Sequence, residues 1–200
     1  LAVERCADLI QRAIKFEQKN FLYIKALGSP WVQFNGHTLN LTHRQIEILC
    51  ILALHPHGIG LEELHYALYG ERNVSLKTLK AELSQLRSLL PHSIEARIYR
   101  LSCEVQCDFL CAEQSLNANL ISSTFSLYKG SFLSKSESPL LSTWRHCFDA
   151  RLSQLIYQIK DIDQLLRIIG QTHDRIDAVQ RLLELLPQDS IHRNYFSNMI

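Results

Sequence analysis

A basic, hydroxyl-rich segment at residues 73–90, "NVSLKTLKAELSQLRSLL", carries the side chains best suited to contact a nucleic acid. On a helical wheel its leucines share one side, and short polar or basic residues form the other side without a central acid. Such side chains can reach phosphates and base edges in a DNA major groove. The segment therefore predicts either a DNA-reading helix or an ordinary solvated amphipathic helix. The polar side is formed by Lys77, Thr78, Ala81, Ser84, Gln85 and Ser88, flanked by Lys80 and Arg87 on one edge and Glu82 on the other.

The distribution of charge favours the DNA-reading interpretation. Between Arg72 and Arg100 there are six Lys or Arg and two acids, whereas the rest of the chain has 15 bases and 18 acids. A basic island on a slightly acidic body is typical of proteins that meet phosphates locally. The formal net charge of +1 does not by itself favour any partner.

Three of the six cysteines, Cys103, Cys107 and Cys111, form the run "CEVQCDFLC" and raise the question of a metal site. Structural zinc sites combine close ligand pairs with a distant second pair, and the sequence has no such set. We predict Cys103 on a strand, Cys107 at its end and Cys111 in the next helix, so the three thiols need not converge. We therefore expect no metal and no cofactor, and reduced thiols in a cytoplasmic protein.

Catalytic motifs are also missing from the sequence. It has no Gly-rich phosphate loop, no nucleophile elbow and no HExxH motif. His146 and Cys147 are adjacent in sequence and do not face each other on a helix. We expect that the protein is not an enzyme.

Length and composition indicate one large globular domain or two small ones. The chain has 200 residues, of which 46% are hydrophobic and 20% charged. No run of about 18 apolar residues occurs, so we expect no membrane partner, and we also expect no secretory leader. The chain begins with Leu, which suggests a fragment of a longer protein.

The first half combines short strands with helices. Residues 1–20 are predicted to be a linker helix from a missing upstream region. Residues 21–41 contain β-rich runs separated by "GSP" and "NG", which predict a small antiparallel sheet. Two helices follow in residues 43–70, with Thr42 as the N-cap of the first, and Ser75 is the predicted N-cap of the third.

The segment "IEARIYRLSCEV" at 94–105 predicts two strands around a tight turn. Sheet, three helices and hairpin together are the layout of a winged helix-turn-helix, which we assign to residues 21–105. In that layout the third helix is the recognition helix and the hairpin, with Arg97 and Arg100, is the wing.

Residues 106–200 are predicted to be nearly all helical. Their last part, from 174 on, predicts two helices joined by a turn with "PQD", like one tetratricopeptide-type hairpin. The expected fold class is α+β: a winged helix-turn-helix with an N-terminal antiparallel sheet, followed by an all-α tetratricopeptide-like domain.

Several motifs resemble those of OmpR-type regulators and, more closely, of the SARP group (Streptomyces antibiotic regulatory proteins). The first helix opens with a "Leu-Thr-x-Arg-Gln" pattern at 41–45, and "Tyr-Arg-Leu" at 99–101 is similar to the end of their wing. "SLYKGSFLSKSESPLLSTWRHCFDARL" at 126–152 resembles the bacterial transcriptional activator domain. The pattern of the recognition helix is matched by Ser75, Thr78, Leu79, Ser84, Leu86 and Arg87.

The resemblance implies a sequence-specific transcriptional regulator that binds double-stranded DNA, forms a homodimer and contacts RNA polymerase. It also implies that the chain is the C-terminal output part of a larger sensor protein. The alternative is a winged-helix and helical-repeat module that binds proteins without binding DNA. The expected DNA-binding residues are Arg44, Ser75, Lys77, Thr78, Lys80, Ser84, Gln85, Arg87, Arg97 and Arg100, of which Arg44, Arg97 and Arg100 are expected phosphate partners.

Overall fold

The computed structural model describes residues 20–172, 174–188 and 190–198. The linker helix predicted at 1–20 therefore lies, apart from Asn20, outside the described residues. The described chain begins with a small sheet and continues mainly as helices, so the α+β class predicted from the sequence is confirmed.

The sheet has four strands in the order β3-β2-β1-β4. Strand β1 (Phe21–Lys25) pairs antiparallel with β2 (Trp31–Phe34), and β2 pairs antiparallel with β3 (His37–Leu39). Alternate residues of β1 and β2 are buried, as expected for a sheet with one face on the core. The turn "NG" joins β2 to β3 with both residues at positive φ, as a tight hairpin requires.

The fourth strand corrects the prediction of a purely antiparallel sheet. Strand β4 (Glu104–Cys107) lies parallel to β1, with Leu22 opposite Val105. The sheet is therefore mixed. Parallel neighbours need a long crossover connection, and here the whole three-helix segment between β3 and β4 supplies it.

Three helices follow β3 in the predicted order. They are α1 (His43–Leu54), α2 (Leu61–Tyr69) and α3 (Leu76–Leu89). Thr42 caps α1 and Ser75 caps α3, as predicted. Gly70 ends α2 at φ +59, a conformation that side-chain-bearing residues rarely adopt.

The prediction of two strands in the wing at 94–105 is wrong for residues 94–102, which form no strand. Within residues 91–102, hereafter the 91–102 loop, only isolated bridges occur, which join Ile94 to Leu101 and Tyr99 to Ile59. Backbone hydrogen bonds from Glu95 to Arg100 and from Ser102 to Ser93, at 3.0 and 2.9 Å, flank the first bridge. Tyr99 exchanges two more with Ile59, N···O 2.9 and 3.0 Å, so the two arms of the segment pair at single positions and do not form strands. Cys103 also precedes β4 and does not lie in a strand.

The second half is helical, as predicted. Its helices are α4 (Asp108–Asn117), α5 (Ile121–Leu127), α6 (Pro139–Gln158), α7 (Ile162–Gln171), α8 (Ile176–Leu185) and α9 (Ile191–Ser197). An aromatic cluster of Phe109, Phe132, Trp144 and Phe148 packs at ring-centroid separations of 4.5–5.3 Å in its core.

Buried polar contacts join the two halves. The Asp108 carboxylate, at the start of α4, accepts hydrogen bonds from the backbone N–H of Ala26 and Leu27, at 2.8 and 3.0 Å. The Ser138 hydroxyl, at the start of α6, donates to the Ala67 carbonyl oxygen at 2.6 Å. The division of the chain at residue 105 remains a prediction.

Among the described residues, no helix is long and apolar enough to cross a membrane. Across the same part of the chain, no group of three or more His, Cys, Asp or Glu side chains is arranged to hold a metal ion.

Candidate nucleic-acid interface

Helix α3 is attached to the body of the protein through four leucines. Leu79, Leu83, Leu86 and Leu90 are each at most 2% exposed. Leu76, which the helical wheel also placed in this stripe, is 38% exposed because it occupies the first turn, beyond the edge of the core. The buried stripe fixes which side of α3 faces outward.

The outward side carries the predicted residues. We call this surface the basic face: Lys77, Thr78, Lys80, Ser84, Gln85 and Arg87, all of them exposed. Ala81 and Ser88 are exposed beside them, whereas Glu82 is half-buried at the edge. Within the described residues, Lys77, Lys80 and Arg87 form no ion pair. Their charges are therefore available to a ligand.

The start of α3 has an electrostatic arrangement that is unfavourable to the helix alone. Ser75 accepts a hydrogen bond from the Thr78 N–H at 3.4 Å, and its hydroxyl lies 3.3 Å from the Thr78 hydroxyl. The first turn contains no acid and contains Lys77. A cation at this position is repelled by the positive end of the helix macrodipole. An anion such as a phosphate is attracted both by that end of the helix and by Lys77.

Arg97 and Arg100 both lie in the 91–102 loop, and they differ in their pairing. Arg97 is exposed, has φ +80 and forms no ion pair among the described residues. Arg100 donates two hydrogen bonds to the Glu95 carboxylate, at 2.8 and 2.9 Å. This bidentate pair raises the pKa of Arg100 and neutralises its charge locally.

Arg44 is also engaged within the protein. Its guanidinium lies 2.6 Å from the Glu47 carboxylate and 4.6 Å from the ring centroid of Tyr69. The Arg44 side chain is 27% exposed. As a phosphate partner it would first have to leave Glu47.

A groove of about 560 Å³ separates the end of α3 from the 91–102 loop. Arg87 and Ser84 contribute from the helix, and His92 and Glu95 from the loop. The groove therefore has one cation of the basic face on one wall and the Glu95 carboxylate on the other. Arg87, in the last turn of α3, also interacts favourably with the negative end of the helix.

One polar contact beside the basic face was not foreseen. Gln45, only 4% exposed, donates from Nε2 to Oε1 of Gln85 at 2.9 Å. Gln45 also completes the capping box of α1, because its Oε1 accepts from the Thr42 N–H at 3.0 Å. The "Thr-x-x-Gln" spacing signals the capping box, but nothing in the sequence signals the contact with Gln85.

Comparison with known proteins finds similarity in sequence to a Rhodococcus protein and in fold to a solved mycobacterial structure. No family model matches the chain. An uncharacterised 47.3 kDa protein from the thcA 5′ region of Rhodococcus erythropolis is 28% identical over 153 residues, which are 76% of this chain and 35% of that protein. The structure of Mycobacterium tuberculosis EmbR in complex with a low affinity phosphopeptide matches with a TM-score of 0.52 at 16% identity, over 90% of this chain and 56% of EmbR.

The structural match shows a shared fold. The described chain is an α+β protein with the arrangement of the corresponding part of EmbR. The chain spans about a third of the length of the Rhodococcus protein and just over half of EmbR.

Proposed function

We propose that this chain is the DNA-binding output part of a SARP-like transcriptional regulator, with α3 as the recognition helix and the 91–102 loop as its wing. The observation that carries the proposal is the basic face. Three exposed cations outside any ion pair of the described chain, Lys77, Lys80 and Arg87, lie among short polar side chains on a helix fixed from behind by leucines. The structural likeness to EmbR supports the proposal at the level of the fold.

The proposed contacts fall into two groups. Lys77, Lys80, Arg87 and Arg97 have charges available for phosphates, whereas Thr78, Ser84 and Gln85 are placed to meet base edges. Arg44 and Arg100 contact phosphates only if they exchange Glu47 and Glu95 for DNA, so their contribution is smaller.

For the helical half we propose a role in assembly. The apolar side of α8 is covered by α6 and α7, since Ala178, Val179 and Leu182 are buried. Self-association into a homodimer or contact with RNA polymerase would therefore use the large side chains that stay exposed on the pair α8 and α9, Ile176 and Tyr195. The regulator would act in the cytoplasm, without catalytic activity.

A protein-binding module without DNA binding is the second candidate. It is favoured by large apolar side chains at the surface, Ile98 at 57% and Tyr66 at 62% exposure. The phosphopeptide in the EmbR complex also makes a phosphopeptide a ligand to test. The basic face favours DNA, because it combines small polar residues with cations that form no ion pair within the described part of the chain.

The proposal is tested by measuring the binding of the protein to random-sequence and to selected duplex DNA by fluorescence anisotropy. We expect Lys77→Ala and Arg87→Ala each to weaken binding and to reduce its salt dependence. Lys160→Ala is the matched control, because Lys160 is an exposed lysine at the end of α6, outside the basic face. Equal affinity and salt dependence for all three variants would exclude the proposed interface.

A further inference from the structure

The contact between Gln45 and Gln85 has a fixed direction. The Thr42 backbone N–H can only donate, so the Gln45 atom 3.0 Å from it must be the carbonyl oxygen. A flipped Gln45 amide would place its NH₂ group against this N–H. The Nε2 of Gln45 therefore faces Gln85, and the Gln85 atom 2.9 Å away must be the acceptor Oε1.

Gln85 is thereby left with one kind of group to offer. Its carbonyl oxygen is committed to Gln45, while its Nε2 has no hydrogen-bond partner among the described residues. A free glutamine reads adenine with both groups, because Oε1 accepts from N6 and Nε2 donates to N7. The contact engages one of the two lone pairs of Oε1 and turns that oxygen toward Gln45, so the group that Gln85 presents outward is the Nε2 donor.

We infer that Gln45 is a specificity-determining positioning residue: it orients the Gln85 amide so that Gln85 reads a base edge that presents acceptors. Guanine, with N7 and O6, and thymine, with O4, present acceptors only among their polar groups in the major groove, whereas adenine presents both the N7 acceptor and the N6 donor and cytosine only the N4 donor. The inference rests on the proposed function, since it requires α3 to lie in a DNA groove. Gln45 itself is buried and acts through Gln85 alone.

The capping box makes Gln45 well suited to this role. Its side chain is held at both ends, by Thr42 and by Gln85, and is 4% exposed. A buried amide held in this way cannot rotate without losing two hydrogen bonds. Gln85 therefore meets the DNA with its amide already oriented.

Gln45→Glu is the discriminating substitution. Glutamate keeps the capping box, because a carboxylate oxygen still accepts from the Thr42 N–H, and an acid in the first turn suits the helix dipole. The carboxylate cannot donate, so the Gln85 amide must rotate to donate Nε2 to it. Oε1 of Gln85 then faces outward, and the preferred edge becomes one that presents a donor, cytosine N4 or adenine N6.

The test is selection of bound duplexes from a random library, with the full chain and its variants. We expect Gln45→Glu and Gln85→Glu each to change the base preference at one base pair. The preferred edge should change from one that presents an acceptor to one that presents a donor, with a change of roughly fivefold to tenfold in relative affinity. Gln85→Glu is exposed and keeps the contact with Gln45, so it tests the same change without altering α1. Gln85→Ala should lose the preference at that base pair alone.

The base preference is taken from the ratio of the affinities of one variant for different DNA sequences. An added negative charge weakens binding to all sequences alike, so this ratio is not affected by it. An unchanged base preference in both Glu variants, with normal thermal stability and DNA binding, overturns the role of Gln45. A Gln85→Ala profile identical to that of the parent chain overturns it too, because Gln85 then reads no base. If the parent chain binds no DNA, the proposed function fails and this inference fails with it.

Discussion

The salt dependence of DNA binding distinguishes the interface that we propose from the structure from the one expected from sequence. Six cations were expected to meet phosphates or lie on the recognition helix. In the structure Arg44 and Arg100 are paired with Glu47 and Glu95, at 2.6 and 2.8 Å. The four cations that remain available are Lys77, Lys80, Arg87 and Arg97.

The expected magnitude follows from counterion release. Each neutralised phosphate contributes about −0.9 to the slope of log K against log salt, so four cations give a slope of about −3.6 per chain and six give about −5.4. Between about 50 and 200 mM salt these slopes correspond to affinity losses of roughly 150-fold and roughly 2,000-fold. The two interfaces therefore differ by about a factor of ten in a single titration.

Fluorescence anisotropy on a selected duplex across this salt range gives the slope of log K against log salt. The stoichiometry is measured as well, so that the slope can be expressed per chain. Glu95→Ala releases Arg100, so it should steepen the slope by about 0.9, whereas Lys160→Ala should leave it unchanged. A slope near −5.4 for the parent chain would show that DNA displaces the two carboxylates. A slope weaker than about −1 would refute the electrostatic interface altogether.

Three other substitutions separate function from stability. Lys77→Glu should raise the thermal stability slightly, by about 0.3–1 kcal/mol through the helix dipole, while it weakens DNA binding in the anisotropy assay. Arg97→Gly should preserve or raise the melting temperature, because glycine accepts φ +80, and should lessen the salt slope by about 0.9. Gly58→Ala should lower the melting temperature, since φ is +93 and the new Cβ would lie 2.2 Å from Ile98 Cγ2, at a cost of about 1–2 kcal/mol. Its control, Gly170→Ala in open space on α7, should instead stabilise by up to about 1 kcal/mol, and equal melting temperatures for the two alanine variants would contradict this account.

Local patterns gave reliable predictions where the determinants are local. Thr42 and Ser75 were identified as N-caps from residue type and the apolar periodicity that follows them, and both caps are present. The leucine stripe of α3 was placed correctly except in its first turn, where Leu76 extends beyond the core. Helix propensity and capping act within a few residues, so the sequence displays them directly.

Features that depend on distant partners were missed. The parallel pairing of β4 with β1 joins residues far apart in the chain, and a four-residue strand carries no signal of its neighbour. The pairing of Arg100 with Glu95 was not predicted either, because Arg100 became a candidate by its place in the chain, whereas this contact depends on the shape of the 91–102 loop. Gln85 was predicted from the helical wheel, but Gln45, 40 residues away, was not.

The parallel pairing of β1 with β4 constrains the order in which the sheet can form during synthesis on the ribosome. Ala26 and Asp108, which close this part of the sheet, are 82 residues apart. At about 5–20 residues per second, the ribosome needs roughly 4–16 s to supply the second strand after the first has emerged. During that interval one edge of β1 has no neighbour, which is the kind of edge that other chains can pair with. A nascent chain arrested before Glu104 would thus contain all of α3 and still lack β4, the strand that pairs with the open edge of β1.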